Sequence, residues 1–277
     1  MMNVKAIWEM SNRGKEHMKL TMDGRNALIT GGSLGIGRGI AKRFVEAGAN
    51  VAIIARRQDI LDEAKADIET CGDGKVVTIA ADVSTADGCT SAFAEAEKAL
   101  GQIDVLVNNA GSSARGPFIE ITDEDWQADI DLKLFAAIRL TRLAFSKMKD
   151  RKWGRVINIL NTGAKAPPAE GAPTAVTRAA GLALTKVLAG EGAADNVLVN
   201  SLHVGRIESD QWVKRHAAED KGRSMDDFYT EMGATLPMGR VGTAQEFANA
   251  ALFLASDAGS YITGTAINVD GGLCTAM

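Results

Sequence analysis

From residue 25 onward, short apolar runs alternate with longer segments of helical spacing. "RNALIT" (25–30) runs into a glycine-rich turn, and "GIGRGIAKRFVEAG" behind it repeats apolar residues about one turn apart before stopping at Gly48. "NVAIIA" (50–55) predicts a second strand, followed by a charged helix through "ILDEAKADIE". "KVVTIAA" (75–81) and "IDVLVNNA" (103–110) predict two more strands, separated by a helix rich in Ala and Glu. "TDEDWQADIDLKLFAAIRLTRLAFSKM" predicts one long helix, opened by Thr122 with Asp125 as a capping pair. "GRVINIL" (154–160), a helix over "APTAVTRAAGLALTKVLAGEGA", and the strands "NVLVNSLHV" and "TAINVD" complete the series. Strands made almost wholly of Val, Ile and Leu are buried on both faces. Joined by helices, they give a parallel sheet with right-handed crossovers. The expected fold is α/β: a doubly wound parallel sheet of about seven strands in three layers.

A chain of 277 residues, 46% apolar and without an internal Pro/Ser/Gly-rich linker, suits one large domain over 21–277. Residues 1–20 have no continuous apolar segment and no small-residue cleavage site; they read as a poorly ordered extension or a short surface helix. With 31 basic and 35 acidic residues the net charge is −4, so neither nucleic acid nor an anionic membrane is an expected partner. No apolar run approaches the ~18 residues of a membrane span. Cys71, Cys89 and Cys274 are odd in number, far apart and without metal-ligand spacing. They suggest a reducing compartment, so a cytoplasmic protein without a metal site is expected.

The turn after the first strand, "TGGSLGIG", carries Gly31, Gly35 and Gly37. Glycines there let the backbone approach a pyrophosphate, which the start of the next helix attracts. Alone, such a turn is weak evidence, because any tight strand–helix turn uses Gly. "ADVS" follows the third strand, "NNAG" (108–111) ends the fourth, and "PMGR", "FLASDAGSYITG" and "ITGTAINVDGG" close the chain. In this order and at these distances, the motifs resemble the short-chain dehydrogenase/reductase family over about residues 22–273.

The resemblance implies a Rossmann-type domain that binds NAD(P)(H), with a substrate lid over about 206–235. It assigns the cofactor to Gly31, Ser33, Leu34, Gly35, Ile36 and Gly37 of the turn, to Asp82 and Val83, and to Asn109, Ala110 and Gly111. It adds Arg178, Gly205 and Ile207 from the second half. At the end of the second strand, Ala55 stands where an acid would hold a ribose 2′-hydroxyl, and Arg56 and Arg57 follow. Positive charge suits a 2′-phosphate, so NADP is preferred over NAD; a solvated helix start is the plainer alternative. Relatives pair through the helices after the fourth and fifth strands, which implies a homotetramer, or else a dimer.

The family's catalytic set is Asn, Ser, Tyr and Lys; here Lys133, Asn161, Thr174 and Arg178 occupy those places. A threonine hydroxyl is too weak an acid to donate a proton near neutral pH, and arginine stays protonated. Thr174 and Arg178 still share a helix face, and Asn161 can still polarise an oxygen. Lys133 falls on a stripe with Trp126, Ile130 and Ala137. An ammonium there is partly desolvated and able to replace the missing acid, or else snorkels to water. Lys165 reads first as a loop-surface charge and otherwise as a further positive group beside the site, His203 as a packing residue, and Tyr229 on the lid as a packing residue or else a second candidate acid. The expected function is an atypical NAD(P)(H)-dependent oxidoreductase acting on a small molecule, with an anionic one suiting the positive groups. The alternatives are lyase or dehalogenase chemistry on the same fold, and cofactor binding without turnover. One branch with Arg at the Lys position has lost the glycine turn, which this chain keeps.

Overall fold

The computed structural model describes residues 20–219 and 222–276. The extension expected at the N-terminus lies outside the described residues, Leu20 apart. The strands are β1 (Asn26–Thr30), β2 (Asn50–Ala55), β3 (Val76–Ala80), β4 (Val105–Asn108), β5 (Gly154–Asn161), β6 (Val197–Val204) and β7 (Ala266–Val269). All pair in parallel within one sheet, in the order β3-β2-β1-β4-β5-β6-β7. The helices are α1 (Gly35–Glu46), α2 (Gln58–Ile68), α3 (Ala86–Leu100), α4 (Asp123–Ile130), α5 (Ala136–Asp150), α6 (Thr174–Gly192), α7 (Asp210–Glu219), α8 (Met225–Ala234) and α9 (Ala244–Ala255).

Side chains on a strand alternate between faces, so one sheet feeds two cores. Ala27 and Ile29 of β1 join Ile40 and Phe44 of α1, Leu61 of α2 and Phe247 of α9. Leu28, between them, joins Phe93 of α3 and Leu140 of α5 on the other side. Phe44 and Phe247 are fully buried. Burying such a ring stabilises by roughly 1.5–3 kcal/mol, which holds α1 and α9 firmly against the sheet. This is a doubly wound, three-layered α/β fold of Rossmann type.

The chain winds outward from β1 to β3, then returns to place β4 on the other side of β1. That reversal opens a crevice at the C-terminal ends of β1 and β4. Asn109 closes its base: Nδ2 donates to the carbonyls of Thr30 (2.8 Å) and Gly31 (3.1 Å). In return, Thr30 Oγ1 accepts from the backbone N–H groups of Asn109 and Ala110, both at 2.9 Å.

The single long helix expected from Thr122 is corrected by the structure. Its start is as the sequence predicts, a capping box of Thr122 and Asp125. Asp131–Phe135, however, form a π-helical turn before α5 begins. The wider turn inserts a residue and rotates α5 relative to α4. Asp129, Lys133, Ala136, Ala137 and Leu140 therefore face inward, while Trp126 and Ile130 of the expected stripe are only half-buried.

Candidate active site

The strand ends enclose a cavity of about 1690 Å³. A pocket for one small ligand occupies ~300–1,000 Å³, so a dinucleotide and a second molecule fit together. Gly31 and Gly35 adopt φ of +63° and +52°, the left-handed region that favours glycine. Gly37 is required by packing: a Cβ there would stand 2.2 Å from the Gly31 carbonyl oxygen and 2.6 Å from Asn109 Nδ2.

The N-cap of α1 is Leu34, which makes no side-chain cap, and the first turn carries no acid. Its leading N–H groups and positive dipole end are thus open to an anion. The starts of α2 and α6, with Arg57 and Thr174 on the cavity wall, are likewise uncapped. Away from the cavity, α3, α4, α8 and α9 are capped by Thr85, Thr122, Ser224 and Thr243. Ser33, Leu34, Ile36, Arg56, Arg57, Asp82, Val83, Ala110, Gly111, Gly205 and Ile207 all line this cavity with the turn glycines and Asn109. Arg56 and Arg57 are exposed directly after β2. Asp82 accepts from the Ser84 N–H at 2.9 Å, which, with the Arg56 charge, holds its carboxyl below the usual range.

Asn161, Thr174 and Arg178 line the other half. Lys133 lies behind Thr174 with its side chain only 1% exposed, neither snorkelling nor on the wall itself. Its ammonium forms an ion pair with Asp129 and donates to Thr174 Oγ1 at 2.7 Å. Thr177 donates to the other Asp129 oxygen at 2.5 Å. Thr174 Oγ1 also accepts from the Ala114 N–H (2.9 Å) and donates to the Ala114 carbonyl (2.8 Å). At rest its one hydrogen and two lone pairs are all engaged. Burial pushes the Lys133 ammonium down to about 8; Asp129 opposes this and the Arg178 charge adds to it.

Arg178 donates to the Ile159 carbonyl at 2.9 Å, and burial lowers its pKa to about 10, so it stays charged at neutral pH. It runs close under Gly111, where a Cβ would meet Nη2 at 2.3 Å. The Asn161 amide oxygen is buried without a hydrogen-bond partner among the described residues. His203 is fully buried, its Nδ1 3.1 Å from the Asn161 carbonyl oxygen and its Nε2 3.1 Å from Ser201 Oγ. Burial holds the imidazole down to about 4, so it stays neutral as a brace between β5 and β6. Lys165 is not on the cavity wall: Nζ donates to the Ala266 carbonyl at 2.7 Å, tying the side chain to β7, and its charge helps to hold His203 neutral. Tyr229 packs half-buried beside Phe228, ring centroids 6.0 Å apart, and is not part of the cavity wall.

Sequence reading missed Asp129 and Thr177. The signal was available, since Asp129 stands one turn before Lys133 and Thr177 one turn after Thr174. Arg115, Arg206 and Trp212 also line the cavity, and no motif pointed to them.

Sheet order, glycine turn and two-part cavity define an α/β protein that binds a dinucleotide across its strand ends. The chain belongs to the short-chain dehydrogenase/reductase family and is an oxidoreductase of that type; the family model described as enoyl-(acyl carrier protein) reductase matches residues 31–274. Oxidoreductase UcpA of Escherichia coli K12 is 37% identical over 257 residues, covering 92% of this chain and 95% of that one. L-Sorbose reductase from Gluconobacter frateurii, solved with NADPH and L-sorbose, is similar with a TM-score of 0.89 at 32% identity, covering 94% of this chain and all of that one. A 3-oxoacyl-(acyl-carrier-protein) reductase from Agrobacterium tumefaciens, solved with NADP, gives 0.85 at 32% identity, covering 94% and 98%. Among the described residues, no helix is long and apolar enough to cross a membrane.

Proposed function

We propose that the chain is an NADP(H)-dependent oxidoreductase whose substrate proton comes from Lys133 through the Thr174 hydroxyl. The observation that carries this reading is the 2.7 Å contact between a buried ammonium and a hydroxyl on the cavity wall. The cofactor end fits the group: the uncapped start of α1 suits a pyrophosphate, and Arg56 and Arg57 suit a 2′-phosphate where Ala55 replaces an acid. The NADPH and NADP held by similar solved structures support the same choice. Bound there, the nicotinamide supplies or accepts the hydride.

The chain's own part is to move one proton. With Lys133, Asn161, Thr174 and Arg178 in the places of the family's Asn, Ser, Tyr and Lys, the active site is atypical. In reduction, the Thr174 hydrogen turns from the Ala114 carbonyl to the substrate oxygen while a Lys133 proton moves onto Oγ1. Threonine ends unchanged and lysine neutral; oxidation runs the same atoms backward. Such general acid–base assistance contributes roughly 10²–10⁴-fold. Arg178, fixed against Ile159, anchors the ribose, and Asn161, on the same wall, polarises the substrate oxygen by donating its amide N–H. Exposed Val176 and Val187 on α6, with Phe118 and Ile119 ahead of α4, support a homotetramer, with a dimer as the lesser form. A cytoplasmic site of action completes the reading.

NADPH is expected to bind more tightly than NADH, and Arg56→Asp to reverse that order, in a titration followed by tryptophan fluorescence. Equal affinities in the parent chain contradict the phosphate assignment.

A further inference from the structure

The charges under the lid bear on the substrate class, an inference that rests on the oxidoreductase reading. The segment 206–235 carries α7 and α8, and Ser209, Trp212 and Arg215 of its first part line the cavity. Two guanidiniums share one indole: Arg206 Cζ lies 4.8 Å and Arg215 Cζ 5.7 Å from the Trp212 ring centroid. Arg115, from the loop after β4, lines the same cavity and is held at its edge by a bridge to Pro173.

These cations are not equally neutralised. Arg215 pairs with Glu219 at 3.1 Å, and Lys214 with Asp210 at 2.6 Å. Arg206 and Arg115 have no carboxylate partner among the described residues. Burial, Arg215 and Arg115 all lower the Arg206 pKa, and no acid acts on it in the other direction. A half-buried guanidinium among like charges is unfavourable until an anion reaches it. The indole face restricts its orientations, which leaves less entropy to lose when two parallel hydrogen bonds form to an oxyanion.

We propose that Arg206, assisted by Arg115, holds an anionic end of the substrate, a carboxylate or phosphate on a carbonyl or hydroxy compound. Neutral alcohols and ketones lack the group this clamp requires.

The test is isothermal titration of the full chain loaded with NADP⁺, in which a ketone binds without being reduced. Acetoacetate is compared with acetoacetamide, and dihydroxyacetone phosphate with dihydroxyacetone. One anion is expected to bind about tenfold or more tightly than its neutral counterpart, and the pair that differs names the oxyanion. Arg206→Gln should erase that difference, Arg206→Lys should keep part of it, and NADP⁺ affinity should stay the same in all three proteins. Anions that bind no better than neutral counterparts overturn the clamp, as does a difference that survives Arg206→Gln. A fall in NADP⁺ affinity in Arg206→Gln also overturns it, by giving the charge to the cofactor. Turnover is not read, so a chain that never consumed NADPH would sink the proton-relay reading and leave this one standing.

Discussion

Lys133→Met is expected to lose about 3–5 kcal/mol of folding stability, the usual effect of stripping one partner from a buried ion pair. The substitution is close in size and apolar, so packing changes little. What changes is Asp129, which is 5% exposed and keeps one hydroxyl donor, Thr177 at 2.5 Å, because the Thr174 hydrogen points to the Ala114 carbonyl. A carboxylate so placed is short of one full charge. For a chain of this size the loss lowers the melting temperature by on the order of 10 °C. Asp129→Leu combined with Lys133→Met removes both charges and should regain most of the stability, because an apolar pair of similar volume fills the same space. Differential scanning calorimetry of the parent and the variants checks this. A Lys133→Met protein that melts with the parent contradicts the buried pair.

Thr174→Val should cost about 10² or more in turnover, the scale of losing a general acid. Valine keeps the shape at the start of α6 but has no hydroxyl to stand between Lys133 and the cavity. Thr174→Ser retains the oxygen and should keep most of the rate. NADPH affinity should be near normal in both, because the cofactor end is built from the glycine turn and Arg56. Single-turnover NADPH oxidation with one substrate separates the chemical step from binding. Equal rates in the Val and Ser variants remove the hydroxyl from the chemistry. A matching loss of NADPH affinity assigns Thr174 a structural role.

The sheet was legible because each strand is an apolar run with a clear end, and the glycine turn because Gly31 and Gly35 need left-handed backbone. The resemblance to short-chain dehydrogenases/reductases also located Asn161, Thr174 and Arg178, which the structure brings to one wall. The π-helical turn at Asp131–Phe135 was not legible. Its sequence keeps helical periodicity, and only the side chains that meet inside show where an extra residue enters the turn. Lys133 neither snorkels nor stands unpaired: its partner, Asp129, is four residues back in the chain. Arg206 was overlooked because its meaning lies in its surroundings: one indole, two like charges and no acid. Trp212, Arg215 and Arg115 come together around Arg206 only once the chain is folded.

The most direct test of the Lys133–Thr174 relay is the pH profile of NADPH oxidation in the reductive direction, measured in single turnovers on the parent and on Thr174→Val. In the proposed relay the proton donor is the ammonium, which burial pushes down to about 8. The rate should be level below that pH and fall by about tenfold per pH unit above it, as lysine loses the proton it must deliver. In Thr174→Val the small residual rate should lose that limb, because nothing connects the ammonium to the substrate. A parent rate that stays level from pH 7 to 10 contradicts the relay, and so does a limb near pH 8 that survives in Thr174→Val.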